Sequence, residues 1–239
     1  MTMQPEHDPR TPRGPVVRSY RTTFELDENP ISQGGWVNGR TDGKDWADVV
    51  TERGLAHGGT VRMGVAEQRA EQGNLGEVDA APLGDYDDPT AVLTGSWGPN
   101  QHVRATVFSR NQTEEYFQEV EIRLRSSISA HSCTGYEVFW RCLKTDDAYA
   151  EIVRWNGPIA GFTSLARRTG PDCGVADGDV VEATIVGNRI TSFINGVEVL
   201  SATDDTFANG SPGIGFNFGC GDTYVDHGFT SYEALTYDD

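Results

Sequence analysis

Basic residues are scarce in this sequence. Its 239 residues include 19 Lys and Arg against 36 Asp and Glu, which gives a formal net charge of −17. Sequence-independent binding to nucleic acid needs patches of Lys and Arg, and docking on an anionic membrane surface needs the same charges. We therefore expect no nucleic acid partner, and we interpret the charge as a source of solubility.

Long apolar runs are also missing. No stretch of about 18 apolar residues occurs, so the sequence predicts no membrane insertion. The first residues, MTMQPEHDPRTPRGPVVRSY, lack the apolar segment of a secretory signal peptide. We therefore expect a virion or extracellular protein that carries no signal peptide in this chain.

Motifs for metal binding and for several enzyme classes are absent. The sequence contains no C-x-x-C pair, no Gly-x-Ser-x-Gly, no P-loop and no His-Glu-x-x-His. Its few cysteines allow either one or two disulfides or separate thiols. These cysteines are Cys133, Cys142, Cys173 and Cys220.

No cofactor is expected, and calcium is the one candidate ion. Clusters of Asp fall at predicted turns, where their oxygens suit Ca²⁺, although Asp is also an ordinary turn residue. The clusters are Asp85-Asp87-Asp88, Asp177-Asp179 and Asp204-Asp205.

Turn residues and aromatic residues, in contrast, are plentiful. The chain has 28 glycines, and from Arg18 onward apolar residues alternate with a period of two in about a dozen short segments. This pattern predicts β-strands separated by turns. Only the beginning of residues 66–88 could form one short helix, so we expect an all-β protein.

The first residues of the chain differ in pattern from all the residues that follow. Residues 1–17 carry four prolines and no periodicity, which predicts an extended arm. Residues 18–239 show no break in composition and are predicted to form a single domain. Because extended arms can fasten subunits together, we expect protein subunits of an assembly as partners of this arm.

Residues 180–201 are predicted to form a three-stranded meander. Its strands would be Val180–Val186, Arg189–Ile194 and Val197–Ser201. Between the last two, Asn195-Gly196 suits the positive φ angles of a type I′ turn.

The segment GDVVEATIVGNRITSFINGVEVLSATDDTFANGSPGIGF resembles the C-terminal half of the concanavalin A-like lectin/glucanase superfamily, especially its laminin-G-like members. The resemblance covers about residues 90–239 well and 18–65 loosely. It implies a two-sheet antiparallel jelly-roll sandwich with a lectin-like character. Strand pattern alone also supports a sandwich.

Glucanases of this superfamily carry a Glu-x-Asp-x-x-Glu motif, and FQEVEIRLRS is its nearest counterpart here. Alternation places Val120, Ile122 and Leu124 toward the core. Glu119 and Glu121 would lie about 6.5–7 Å apart on the other face, within the range of a two-carboxylate glycosidase. However, Arg123 and Arg125 continue that face and are expected to keep the carboxylates ionised. The motif is incomplete, so no catalytic residue is assigned.

Aromatic residues on two further strands complete a candidate glycan-binding face. The strand GYEVFWRC places Tyr136 and Trp140 on one face, and YAEIVRW does the same for Tyr149 and Trp155. Alternatively, the two Trp side chains belong to the core. The candidate ligand-binding residues are Glu119, Glu121, Arg123, Tyr136, Trp140, Tyr149 and Trp155.

Two functions remain open. The first is a non-enzymatic lectin-like recognition or structural module, such as a bacteriophage tail or capsid accessory protein that contacts surface glycans. The second is a secreted glycoside hydrolase or polysaccharide lyase on the same scaffold, for which Gln118, Arg123, Arg125, His131 and Tyr136 offer the residue types of a lyase.

Overall fold

Fifteen strands account for nearly all the regular structure in the described part of a computed structural model. The described residues are 14–32, 35–39, 45–59, 88–115, 117–158, 160–219 and 224–238. Within these ranges no helix is long and apolar enough to cross a membrane. The strands are β1 Val16–Thr22, β2 Trp36–Val37, β3 Val49–Glu52, β4 Leu55–Gly58, β5 Thr90–Leu93, β6 Asn100–Ser109, β7 Phe117–Ser129, β8 Ser132–Arg141, β9 Tyr149–Gly157, β10 Phe162–Thr169, β11 Val180–Val186, β12 Arg189–Ile194, β13 Val197–Thr203, β14 Ser211–Gly219 and β15 His227–Tyr237.

The strands form two antiparallel sheets. The eight-stranded sheet has the order β13-β12-β11-β6-β15-β4-β3, with β1 also paired to β15. The seven-stranded sheet has the order β10-β9-β8-β7-β14-β5-β2. This arrangement confirms the predicted all-β jelly-roll sandwich.

The main core lies between the two sheets. On β7, Val120, Ile122 and Leu124 face inward and are fully buried, as their alternation predicted. Val103 and Ala105 of β6 belong to the same core cluster. Since alternate residues of a strand point to opposite faces, Glu119, Glu121 and Arg123 of β7 face away from this core.

The predicted meander is confirmed as β11, β12 and β13, and its third strand extends two residues further than expected. Asn195 and Gly196 have φ angles of 50° and 77°, which a type I′ turn requires. The Asn195 side chain also accepts a hydrogen bond from the Val180 N–H at 2.8 Å. This hairpin therefore stabilises the fold, and it belongs to the eight-stranded sheet.

The start of the domain differs slightly from expectation. Strand β1 begins at Val16 and pairs with Tyr237, whereas the period of two suggested a start at Arg18. Residues 1–13 of the predicted arm, the short helix considered within 66–88, and Asp85 and Asp87 lie outside the described residues.

The cysteines of the described residues are not joined in disulfides. Cys133, Cys142 and Cys173 are all present as buried thiols. Cys220 lies outside the described residues. The alternative of separate thiols, without disulfides, therefore holds for the three cysteines that are described.

Candidate functional site

A groove of about 660 Å³ lies on the outer face of the seven-stranded sheet. Strands β7, β8, β9, β10 and β14 contribute alternate side chains to it, because their other side chains fill the core. Acidic residues are prominent among the lining side chains. They are Asp88, Glu119, Glu121, Glu137, Asp146, Asp147 and Glu151.

Beneath the floor of the groove, a fully buried arginine lies among three carboxyl groups that line the groove. Nη2 of Arg123 lies 3.0 Å from Oδ1 of Asp88 and 3.1 Å from Oε2 of Glu121. Its Nη1 lies 2.6 Å from Oε2 of Glu137. Arg123 also lies over the Trp155 ring, 5.1 Å from its centroid. We call Asp88, Glu121, Arg123 and Glu137 the carboxyl–arginine cluster.

Three carboxyl groups this close resemble a cation site. Their ligand atoms all lie within 4.8 Å of one another. Arg123, however, already supplies a positive charge to all three groups, so a guanidinium organises the cluster. Of the Asp residues considered for calcium, Asp204 accepts hydrogen bonds from Tyr136 and Arg154, and Asp179 pairs with Lys144. Calcium binding stays a prediction.

Burial controls the protonation of the cluster. Desolvation raises the pKa of Glu137 to about 8, although Arg123 acts in the opposite direction. The pKa values of Asp88 and Glu121 are also raised, mainly by burial. Burial therefore opposes the ionisation of Glu121 that Arg123 favours, because one guanidinium acts against the removal of three carboxyl groups from water.

Glu119 lies beside the cluster in a different hydrogen-bonding environment. Its Oε1 accepts a hydrogen bond from the Tyr149 hydroxyl at 2.5 Å, and its Oε2 accepts one from Nδ2 of Asn217 at 3.0 Å. Burial raises the pKa of Glu119 to about 7, and the two hydrogen bonds limit the rise. This carboxyl group can therefore exist in both protonation states near neutral pH.

Two further arginines lie along the groove. Arg167 stacks over the Tyr149 ring at 3.9 Å and forms an ion pair with Glu151 at 2.5 Å. Arg141 donates hydrogen bonds to the carbonyl oxygens of Asp147 and Glu114. These contacts hold both guanidinium groups in defined positions at the groove.

The structure brings together five of the seven predicted ligand-binding residues. Glu119, Glu121, Arg123, Tyr149 and Trp155 all lie on the groove face, and each is almost completely buried. Trp155 and Tyr149 belong to a second apolar cluster on this face. Its members are Trp46, Cys133, Phe139, Tyr149, Val153 and Trp155.

Tyr136 and Trp140 do not join this patch, which corrects the prediction. Both are fully buried in the main core, on the opposite face of the sheet. The Tyr136 hydroxyl donates to Oδ1 of Asp204 at 2.7 Å. The strand itself carries a signal for this outcome: Glu137 and Arg141 are charged, and charge on alternate residues marks the outer face.

Arg125 also departs from its predicted face. The pairing register of β7 shifts between Leu124 and Ser127, and Arg125 has a φ angle of 45°. This β-bulge turns its guanidinium away from the groove. The side chain instead donates hydrogen bonds to the carbonyl oxygens of Pro99, Gly187 and Phe207.

Phe162 is the main groove residue that sequence reasoning missed. It is 49% exposed, and its ring centroid lies 5.7 Å from that of Trp155. It therefore offers an accessible aromatic surface, whereas Trp155 itself is only 3% exposed. The segment GFTSLARR was predicted as a strand, but nothing in it indicated which neighbour would lie beneath Phe162.

Two stacked antiparallel sheets with a groove across one outer face define a β-sandwich of the concanavalin A-like jelly-roll class. The structure is similar to the CBM2 module of the evolved Dit of Lactobacillus casei BL23 phage J-1, with a TM-score of 0.56 and 13% identity over 92% of this chain and 98% of that chain. It is also similar to the carbohydrate-binding module CBM66 from Bacillus subtilis, with a TM-score of 0.51 and 12% identity over 87% of this chain and 97% of that chain.

A third similar structure is LamA from Zobellia galactanivorans in complex with laminaritriose and laminaritetraose. Its TM-score is 0.52, and it has 8% identity over 93% of this chain and 100% of that chain. No protein-family model matches the sequence, and no curated protein matches it. At these identities the similarities establish the fold.

Proposed function

We propose that this chain is a carbohydrate-recognition module that binds a glycan in the groove of the seven-stranded sheet. The observation that carries the proposal is the exposed ring of Phe162 beside a groove lined with hydrogen-bonding side chains. Sugar rings bind proteins through C–H contacts on aromatic faces together with a few directed hydrogen bonds. Phe162 provides the first element, and Asn217, Arg141 and Arg167 provide the second.

The polar groups of the groove are held in position before any ligand arrives. Arg167 is fixed by Glu151 and Tyr149, and Glu119 is fixed by Tyr149 and Asn217. Little side-chain entropy would then be lost on binding, which favours affinity. The similar structures support the same function, since two are named as carbohydrate-binding modules and a third contains oligosaccharides.

We further propose that the module is a virion component with a non-enzymatic role. The likeness to a module of a phage protein supports this proposal, as does the absence of a complete glucanase motif from β7. In this proposal the Pro-rich residues 1–17 contact protein subunits of the assembly.

Glycoside hydrolysis is the alternative, and one specific observation favours it. The carboxyl group of Glu119 lines an open groove, and its pKa of about 7 suits a general acid. Against this, the residue Glu119 is only 5% exposed, and both oxygens of its carboxyl group already accept hydrogen bonds.

A binding experiment with variants separates these possibilities. Wild-type protein and Phe162→Ala are titrated with soluble glycans, including laminarin oligosaccharides, and the reaction mixtures are then analysed for shortened products. We expect binding without cleavage, and we expect Phe162→Ala to weaken it by roughly tenfold. The matched control Val197→Ala removes an exposed side chain from the hairpin of the other sheet and should bind normally.

Three results would change the conclusion. Binding that is equal for wild type and Phe162→Ala would exclude the groove as the site. Failure of a broad glycan panel to bind at all would contradict the proposed function. Cleavage that disappears in Glu119→Gln while binding persists would establish the hydrolase alternative.

A further inference from the structure

A second cavity, of about 440 Å³, lies on the outer face of the eight-stranded sheet. Leu55 of β4 and Phe108 of β6 give it apolar surface. They face outward because their neighbours Ala56 and Val107 belong to the core between the sheets. Among the described residues, the groove and this cavity have no lining residue in common.

His57 is a buried polar side chain of this cavity, with only 4% of the residue exposed. Its Nδ1 lies 2.8 Å from the carbonyl oxygen of Gly58, so Nδ1 carries the proton and donates it. Burial lowers the pKa of His57, which keeps the ring neutral and leaves a lone pair on Nε2. That Nε2 has no hydrogen-bond partner in the described structure. A ligand hydroxyl would supply the missing donor.

Two backbone irregularities bring further polar side chains to the same cavity. Arg53 and Gly54 form the turn between β3 and β4 with φ angles of 52° and 78°. Such a turn favours Asn, Asp or Gly, so an arginine there is unusual. Thr230 lies where the register of β15 against β6 shifts, and bulges of this kind reorient side chains. Within the described residues its hydroxyl makes a long 3.5 Å contact with the Thr106 carbonyl oxygen.

The surroundings of this cavity are less acidic than the chain as a whole. Arg53, Arg110 and Glu52 line it with a formal charge of +1, and Asp226, which pairs with Arg110, makes the local balance neutral on a protein of −17. The ion pair between Arg53 and Glu52 spans 3.3 Å in an exposed position, so it contributes little stability. Arg110 pairs with Asp226, yet its side chain remains 65% exposed. Both guanidinium groups can therefore meet an anion, and a carboxylate matches their planar geometry.

We propose that this cavity is a second ligand site, which binds an acidic monosaccharide unit of the hexuronate type. The carboxylate lies at Arg53 and Arg110, and a ring hydroxyl donates to Nε2 of His57. The C–H face of the ring packs on Leu55 and Phe108. The site does not depend on glycan binding in the groove of the other sheet.

Histidine side-chain NMR tests this proposal directly. Full-length, ¹⁵N-labelled protein is titrated with D-glucuronate as the probe, and with D-glucose as the matched sugar without a carboxylate. We expect D-glucuronate to shift the His57 Nε2 resonance saturably in the millimolar range. We expect D-glucose to bind at least roughly tenfold more weakly, because it lacks the charged hydrogen bonds.

Variants separate this site from the groove and from effects on folding. Arg53→Asn suits the turn and removes one guanidinium, so the fold is retained and glucuronate binding should weaken roughly tenfold. His57→Phe retains the ring shape and removes the acceptor, and binding followed through the Thr230 amide should be lost. Phe162→Ala, in the groove, should leave glucuronate binding at this second cavity unchanged.

The proposal is overturned if about 50 mM glucuronate, enough to occupy a millimolar site, does not shift His57. It is also overturned if glucose binds equally well or if Arg53→Asn has no effect. None of these results would bear on glycan binding in the groove.

Discussion

Nη1 of Arg123 lies 2.6 Å from Oε2 of Glu137, and both side chains are almost completely buried. The same guanidinium contacts Asp88 and Glu121. One buried cation therefore organises three carboxyl groups on the floor of the groove, and this arrangement has measurable consequences.

Replacing Arg123 by methionine should strongly destabilise the protein. Arg123→Met keeps a similar side-chain volume but leaves three buried carboxyl groups without their cation, so we expect a loss of about 3–5 kcal/mol. Urea denaturation monitored by tryptophan fluorescence measures this change. The control Arg189→Met breaks an exposed ion pair with Glu198 and should cost less than about 1 kcal/mol. Equal losses in the two variants would contradict the assigned role of Arg123.

Stability should fall as the pH rises through the titration range of Glu119. Its pKa is raised from 4.5 to about 7, so above pH 4.5 the unfolded chain loses a proton that the folded protein keeps. The folded state is therefore penalised increasingly up to pH 7, by about 3 kcal/mol in total. Glu137, with a pKa of about 8, acts in the same direction. The pKa of His227 is lowered from 6.5 to about 4. This histidine therefore acts in the opposite direction, because it makes the stability increase as the pH rises from 4 to 6.5.

Because these groups overlap, the test compares Glu119→Gln with wild type at pH 5 and pH 8. Between these two values the variant should gain about 2–3 kcal/mol relative to wild type. Glu198→Gln, at an exposed position, serves as the control and should follow the wild-type pH dependence. Identical pH dependence for Glu119→Gln and wild type would show that Glu119 is ionised in the folded protein.

Gly215 of β14 should not tolerate a side chain. A Cβ atom at this position would clash with Oε2 of Glu121 and would lie 3.2 Å from Nη2 of Arg123. The carboxyl–arginine cluster cannot move without losing contacts, so Gly215→Ala should cost about 1–3 kcal/mol. The double variant with Glu121→Ser should lose less than the sum of the single losses, since the clash has been removed. Strict additivity in chemical denaturation would contradict the close approach.

Removal of residues 1–13 tests the proposed arm. Deletion ends before β1, which starts at Val16, so the sandwich should keep its unfolding temperature. We expect the full chain to form a larger assembly and the shortened chain to lose it, as measured by light scattering coupled to size-exclusion chromatography. A monomer in both cases would contradict assembly of this chain through the arm.

The groove was only partly predictable from sequence. Alternation along β7 correctly placed Glu119, Glu121 and Arg123 together, away from the core. Asp88 could not be assigned, because it precedes β5, which is placed by pairing with the distant strand β14. Phe162 was missed although its strand pairs with the preceding strand β9, opposite Trp155. Arg123 lowers the pKa values of its neighbours, as predicted, but the larger effect of desolvation was not anticipated, since burial depends on packing and not on the spacing of residues.

Sequence alone determined the local features of this protein. A period of two specifies strands, and Asn195-Gly196 specifies a tight turn, because both depend on the backbone preferences of adjacent residues. Tertiary structure alone decided which strands came together to form the groove. Alternation and charge already separate Tyr136 and Trp140 from Glu137 and Arg141, but only the pairing of β14 with β7 and β5 brings Asn217 and Asp88 to the same outer face. That choice depends on contacts between residues far apart in the chain.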